Sequence, residues 1–361
     1  MKTKIVLVLP NNVMGGAERV MVNLVSRLPC NEFDVRIVVL SPSDSSSSWL
    51  NDLNSVTYLN SKRVAHSIFP LRFFLTEVRP SIVLSSHVHV NILLLLLTFF
   101  CHRLRVVVRE ANMPIDSLAN GHWPKYYKLL YRLLLCRADK IIVTSKKMSA
   151  QFEQYFAVKP SSLFLINNPV DRNAVRSVKA MGEFYVGAKR KFIAVGRLVR
   201  QKRYDRMINY MSHMDIEDRL LIIGSGPEEA AIRQLIREKN LEAQIELYGP
   251  SEHPWSFMQK ADALLLSSQW EGMPNIVLEA MCLGLPVIAS GQCGGLEELI
   301  SEPDLGAIRI CKTKHQFIGA MKSVQLMEFD SNRNSYLPEQ YEIKNVSAVF
   351  RKMLNHTSVK K

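Results

Sequence analysis

Glu271 and Glu279 frame the stretch 267–290, SSQWEGMPNIVLEAMCLGLPVIAS. Glu271 lies in a polar loop with Gly272 and Pro274. Proline suits the first position of a helix, where its missing N–H is one the helix leaves unbonded anyway. The pattern predicts a helix from about Pro274 to Leu283, stopped by Gly284 and Pro286, and then a buried strand in PVIAS. Asn275 and Glu279, four apart, share a face. Side chains lean toward the helix N-terminus, so the Glu279 carboxylate is expected to point back toward the loop of Glu271. A helix start attracts phosphate through its N–H groups, by about 0.3–1 kcal/mol when exposed and up to about 2 when partly buried. The amides of Asn275 and Ile276 are the candidates here. A carboxylate one turn on cannot hold phosphate but accepts hydrogen bonds from sugar hydroxyls, as an acid does for ribose in dinucleotide sites. The stretch suits a phosphorylated sugar; read without context, it equally describes a solvated helix start.

A second group of charges follows the strand FIAVG (192–196), which runs out into Arg197, Leu198 and then Lys202. Two cations at a strand's carboxyl end suit a diphosphate, with Arg binding its oxygens in pairs and Lys acting as a point charge. Charge-assisted bonds of this kind contribute roughly 1.5–3 kcal/mol each; ordinary surface charge is the competing reading. GSGPEE (224–229) lacks the third glycine of a dinucleotide fingerprint and does not indicate NAD.

In the first half, the continuous apolar strand KIVLVLP enters NNVMGGAERVMVNLVSRL. Gly15 and Gly16 are read as a tight turn, and Ala17–Leu28 as an amphipathic helix with Val20, Leu24 and Leu28 on one face. Strand, glycine turn and helix together are a phosphate-approach geometry, weakly indicated here because the spacing is not GxGxxG. DVRIVVL follows as a strand. SIVLSSH (81–87) reads as a strand ending at Ser85, Ser86 and His87, with His89 just beyond. Open α/β sheets bind ligands at such ends, although a histidine there is also readily structural. RVVVREANMP (105–114) is a buried strand ending in Arg109, Glu110 and Asn112, and Glu110 is expected at the mouth of a ligand cleft. KLLYRLLLCRADKIIVTS reads as a basic amphipathic helix and a strand. RLLII, IELYGP (245–250) and ADALLLSS (261–268) are further strands, and GQCGGLEELI (291–300) a glycine turn into a helix.

A chain of 361 residues with 47% hydrophobic residues is long enough for two domains with real cores. The six cysteines, Cys30, Cys101, Cys136, Cys282, Cys293 and Cys311, form no CxxC or Cys/His cluster and read as reduced thiols of a cytosolic protein. The N-terminal apolar run is too short for a signal-peptide core and reads as a first strand. The ten-residue run Ile92–Cys101 is about half of what a membrane span needs; it suits a buried helix, with a membrane-dipping face as the second reading. The polar loop 41–48, SPSDSSSS, suits a surface connection. Residues 1–185 hold 23 Lys and Arg against 12 Asp and Glu, whereas residues 186–361 hold 23 against 21. A basic half can face nucleic acid or an anionic membrane, or simply aid solubility. With no zinc finger, basic dimer helix or aromatic-interleaved RNA motif, membrane is the better match.

Several of these motifs together resemble the retaining glycosyltransferases of family 4 with the GT-B fold. Glu271 and Glu279, with Gly272, Pro274 and Asn275, resemble that family's E-x7-E element. Gly196-Arg197-Leu198 with Lys202 resembles its G-R-L-x(3)-K element, NNVMGGAERV its N-terminal glycine loop, LYGP with Gly249 the turn bordering the nucleotide base, and INNPVD (166–171) its interdomain hinge. The resemblance covers nearly the whole chain. It implies two Rossmann-like parallel-sheet domains facing across a cleft: 1–168 on the acceptor side, 169–344 binding nucleotide sugar, and a C-terminal helix in 345–361 crossing back onto the first domain. It implies transfer of a hexose or N-acetylhexosamine from a nucleotide diphosphate sugar, UDP by family preference, to a lipid-linked glycan in surface polysaccharide, O-antigen or lipopolysaccharide assembly, with configuration retained. Arg197 and Lys202 would neutralise the departing diphosphate, Glu279 would hold ribose and Glu271 the sugar hydroxyls. Glu110 would orient acceptor or sugar without needing to be a strong base, with Asn112 beside it, and the loop of Gly15 and Gly16 would lie between donor and acceptor; His87, at its own strand end, is a further candidate for binding substrate. A histidine common beside the family's strand-end glutamate is replaced by Ala111, which leaves Glu110 and Asn112 as candidates there. With no D-x-D motif, neither metal nor cofactor is expected. The expected setting is cytoplasmic, peripheral on the inner face of the cell membrane, without nucleic acid. A nucleotide-sugar epimerase or hydrolase on the same fold, or a non-catalytic sugar-binding protein, are the other readings.

Overall fold

Each apolar run read as a strand forms one, and three short strands join them. In the computed structural model the described residues are 2–42, 50, 55–101, 104–120, 125–181, 183–300, 307–325 and 333–358. Most of the serine-rich loop 41–48 lies outside them. Contacts divide the chain into two units, Met1–Pro169 with Ile343–Lys361, and Val170–Glu342.

The sheet of the first unit contains β1 (Thr3–Leu9), β2 (Phe33–Val39), β3 (Val56–Tyr58), β4 (Ile82–Ser85), β5 (Arg105–Arg109), β6 (Lys140–Val143) and β7 (Leu163–Leu165), in the order β3-β2-β1-β4-β5-β6-β7. Every pairing is parallel. Parallel sheets are covered on both faces, which is why their strands are nearly continuous apolar runs. Alternate residues serve opposite layers. Val6, Val8, Val83, Val106 and Val108 meet Leu94, Leu134 and Phe152. Ile5, Leu7, Leu84 and Val107 meet Val20, Leu24, Phe350 and Leu354. The last two belong to the C-terminal helix Ile343–Ser358, which packs in this unit. Its Arg351 pairs with Glu32.

The run at 92–101 contributes to a buried helix, Val88–Leu97, which supplies much of one layer. Phe99 and Phe100, just past it, are exposed. The glycine pair differs from the expected tight turn. Gly15 is an extended N-cap, and the helix runs Gly16–Ser26. Gly15 leaves room for Glu18: a Cβ there would lie 2.6 Å from Oε2, at the end of that flexible side chain.

The second unit repeats the plan with β8 (Lys191–Val195), β9 (Arg219–Ile223), β10 (Ile245–Gly249), β11 (Ala263–Leu266), β12 (Val287–Ser290) and β13 (Ile308–Cys311), in the order β10-β9-β8-β11-β12-β13. These pairings are also parallel. Ile193, Leu221 and Leu264 pack against Val277 and Met281 on one face. Phe192, Leu220 and Leu265 pack against Met207, Ile232 and Phe317 on the other. Strand order reverses beside β1 in the first unit and beside β8 in the second. Each sheet therefore has one switch point, between β1 and β4 and between β8 and β11. Ligands of doubly wound sheets bind outside the carboxyl ends at such points.

Candidate active site

At the second unit's switch point, two loops are clasped together. The loop after β8 carries Arg197 and Lys202, and the loop after β11 carries Ser267 to Pro274. Ser267 Oγ donates to the carbonyls of Lys202 and Arg203, both at 2.8 Å. Gln201 Nε2 donates to Trp270 O at 2.7 Å, and Gln269 N to Gln201 O at 2.8 Å. Held this way, Lys202 Nζ lies 2.6 Å from Glu271 Oε1, which also accepts from Ser268 Oγ at 2.7 Å. Lys202 and Glu271, expected at opposite ends of a ligand, are paired directly by the fold. Glu271 is only 6% exposed, and a carboxylate so buried requires a cation. Arg197 is exposed and makes no ion pair among the described residues.

A third loop stiffens this one. A Cβ on Gly224 would lie 2.0 Å from Gly196 O, and one on Gly226 would lie 2.4 Å from Leu198 O. The two backbones approach so closely that only glycine is accommodated, and Leu198 N donates to Ser225 O at 2.8 Å. GSGP is therefore a packing device for the arginine loop, a role unrelated to NAD.

The helix after Glu271 runs Asn275–Cys282, with Pro274 as its N-cap and not its first residue. Asn275 and Ile276 supply its first amides, on the side of the loop that carries Glu271. Glu279 is buried one turn on. Gly249 closes β10, where a Cβ would meet nothing within 4 Å, and Tyr248 beside it packs edge-on against Phe257. Cys293 lies behind Glu271, and burial lifts its thiol to about 12, keeping it protonated.

In the first unit, Glu18 and His87 meet across the switch point: His87 Nε2 lies 2.9 Å from Glu18 Oε1. His87 caps the helix Val88–Leu97, and His89 lies within its first turn. Burial, with His87 beside it, lowers His89 to about 4, so it is neutral at ordinary pH. Asn112 is half-buried beyond β5.

Glu110 does not lie at an open mouth. It is 2% exposed and faces inward, where Tyr131 OH and Asn91 Nδ2 (2.8 Å) both donate to its Oε1. Its neighbour Arg109 is equally buried and donates to Ser86 Oγ and Asn168 Oδ1, both at 2.7 Å. A strand's alternation shows which residues face a layer, but not what covers its last residues, and two helices cover Glu110. There it ties β5 to both helices. Glu18, Asn91 and Tyr131 are not among the residues expected from sequence, yet they contact His87 and Glu110. Asn91 had a signal, as the one amide in the helix VHVNILLLLL, and Glu18 had another, three residues after a capping glycine.

Burial lifts the Glu110 carboxyl to about 7, against the pull of its two hydrogen bonds and of His87 and Arg109. A raised folded-state value means that the folded chain holds this proton more tightly than the unfolded one. Its stabilisation is complete below the ordinary value of 4.5 and fades as pH rises through 7. At about 1.36 kcal/mol per unit, roughly 3 kcal/mol is at stake. Glu110→Gln should flatten the dependence of the urea midpoint on pH between 4 and 8, whereas parallel curves would exclude this role.

Among the described residues no group of three or more His, Cys, Asp or Glu stands together as metal ligands could.

Two family models match the chain: "Glycosyltransferase Family 4" over residues 14–174 and "Glycosyl transferases group 1" over residues 184–337. The N-acetylgalactosamine-N,N'-diacetylbacillosaminyl-diphospho-undecaprenol 4-alpha-N-acetylgalactosaminyltransferase of Campylobacter jejuni is 26% identical over 248 residues, 68% of this chain and 67% of that enzyme. The lipopolysaccharide 1,6-galactosyltransferase of Escherichia coli is 29% identical over 204 residues, 54% of this chain and 53% of that enzyme. The chain thus spans about half to two thirds of the length of the curated relatives it matches. Among solved structures, Anabaena Alr3699/HepE in complex with UDP and glucose superposes with a TM-score of 0.80 at 15% identity, covering 98% of this chain and 100% of that one. The galactosyltransferase WaaB of the lipopolysaccharide outer core, in its apo form, superposes at 0.70 with 19% identity, covering 98% and 99%. At these identities the superpositions speak for the fold. With one family model over each half and two doubly wound parallel sheets beneath them, the chain belongs to the family 4 glycosyltransferases of the GT-B fold.

Proposed function

We propose that this chain transfers a hexose or N-acetylhexosamine from a UDP-sugar to a lipid-linked glycan during assembly of a surface polysaccharide or lipopolysaccharide, with anomeric configuration retained and without a metal ion. The observation that carries this reading is the Lys202–Glu271 pair beside the Asn275–Cys282 helix start, at the switch point of the second sheet. Arg197 and Lys202 neutralise charge building on the departing diphosphate, with the amides of Asn275 and Ile276 assisting. This is electrostatic stabilisation of the transition state, and it needs no cofactor. Glu279 takes the ribose hydroxyls and Glu271 those of the transferred sugar. His87 and Asn112 lie on the acceptor side, positioned by Glu18 and by the buried Arg109 and Glu110. The relatives support the choice of acceptor, since the Campylobacter enzyme's name specifies a diphospho-undecaprenol-linked acceptor and the Escherichia enzyme's a lipopolysaccharide. The UDP-bound neighbour supports the choice of base. No described helix is long and apolar enough to cross a membrane; action from the inner face of the membrane as a peripheral protein is part of the proposal.

The test is a thermal-shift series with UDP, GDP and ADP, followed by product analysis with and without acceptor. UDP at a hundred times its Kd should stabilise the second unit by about 2.7 kcal/mol. Sugar should leave UDP mainly when acceptor is present. An epimer or free sugar formed equally well without acceptor would instead identify an epimerase or hydrolase. Silence with all three nucleotides would refute the donor assignment.

A further inference from the structure

The helix Lys125–Leu134 is apolar on two sides. Tyr131 and Leu134 face the core. Tyr126, Leu129 and Leu133, at spacings of three and four, form a second stripe that is 61–63% exposed. Lys128 and Arg132 are exposed beside that stripe, and the helix contains no acid. A soluble helix ordinarily turns a polar face outward, and an outward leucine stripe flanked by lysine and arginine is the composition of a helix lying in a bilayer interface.

The patch continues onto neighbouring elements. Phe99 and Phe100 follow the adjacent helix Val88–Leu97 and are half or more exposed. The Arg137 guanidinium lies 3.9 Å from the Phe99 ring centroid, and Arg72 lies 5.6 Å from that of Phe100. Arg72 is on the helix Ile68–Val78, whose Phe69 and Phe73, one turn apart, are exposed. Two cations therefore link three elements into one surface of aromatic rings, leucines and bases. Continuous exposed apolar surface of this kind marks a binding face. Charge selects the partner: the first unit holds 25 Lys and Arg against 10 Asp and Glu, and the second 21 against 23.

We propose that this face seats the first unit on an anionic lipid bilayer, with the rings and leucines entering the headgroup boundary and the exposed Arg72, Lys128 and Arg132 meeting lipid phosphates. The inference deepens the reading above, and rests on it for its purpose, by naming the surface where a lipid-linked acceptor is met. The geometry favours that purpose. The helix that turns Leu129 and Leu133 outward turns Tyr131 inward onto Glu110. Only the width of one helix, about 10 Å, therefore separates the bilayer from the polar cluster behind the acceptor side.

The test is flotation of the full chain with vesicles of 70:30 phosphatidylcholine and phosphatidylglycerol, compared with phosphatidylcholine alone. Binding should require the anionic lipid and weaken at least tenfold between 0.1 and 0.5 M salt. Leu129→Gln with Leu133→Gln, and separately Lys128→Gln with Arg132→Gln, should each reduce it at least tenfold, with unchanged melting curves and an unchanged thermal shift by UDP. If the wild-type chain ignores anionic vesicles while UDP still stabilises it, docking is overturned and the transferase reading stands. If vesicles bind but no nucleotide does, the transferase reading falls and docking stands. A concentration-dependent dimer abolished by the leucine pair, with no vesicle binding, would assign the face to a second copy of this chain and overturn the proposal.

Discussion

Lys202→Met should lower turnover with a UDP-sugar by about 10²–10³-fold, the usual effect of removing one preorganised group from a developing charge. The same change should destabilise the second unit. Glu271 would keep its bond from Ser268 but lose its cation while still buried, and breaking a buried pair from one side costs about 3–5 kcal/mol. Glu271→Gln should cost less stability, because Lys202 is the more exposed partner, yet it too should lower turnover, since a carboxylate is the better acceptor from sugar hydroxyls. The double variant separates the effects. Lys202→Met with Glu271→Gln removes both charges together, so stability should return toward wild type while turnover stays low. Urea midpoints and initial rates on all four proteins complete the cycle. If turnover recovered with stability in the double variant, the pair would be structural and would not take part in the reaction.

Arg109→Met should unfold the first unit more readily than any other single change at its site. The guanidinium is 2% exposed and spans from Ser86, after β4, to Asn168, where the chain leaves the unit. Burial lowers it to about 10, opposed by Glu110 and Glu18, so it remains charged near neutral pH. Methionine would fill much of the same space but leave Asn168 Oδ1 and Ser86 without that donor and two nearby carboxyls without their cation. Losing two hydrogen bonds from a charged group, at roughly 1.5–3 kcal/mol each, should cost about 3–6 kcal/mol. Asn168→Ala removes one bond to a charged group and should cost about 1.5–3 kcal/mol. Urea denaturation followed through the first unit would measure both, and an Arg109→Met midpoint within experimental error of wild type would refute the anchoring role.

The uneven legibility of the chain has a simple cause. Interior strands of a parallel sheet are covered on both faces and appear as runs such as KIVLVL and VVV, so all of them could be read. The strands that went unread, β3, β7 and β13, lie at sheet edges and are short and half-exposed. Such strands leave too little apolar pattern to distinguish them from loop. Local stereochemistry was legible as well. Gly284 and Pro286 end the helix near the expected place, and Pro274 misses its expected position by one residue. The family resemblance rested on loops after strands, which the fold indeed brings to the carboxyl ends of its sheets.

By itself, then, the sequence determined the alternation of strand and helix, the family, and the residue types available at each strand end, because these depend on neighbours a few positions away. Only the tertiary structure decided which of those residues meet. Lys202 closes on Glu271 across 69 positions, Arg109 reaches Asn168 across 59, and Tyr131 covers Glu110 across 21. Partners are chosen by the strand order of the sheet and by the helices laid over its ends, and side-chain spacing along a chain carries no information about either.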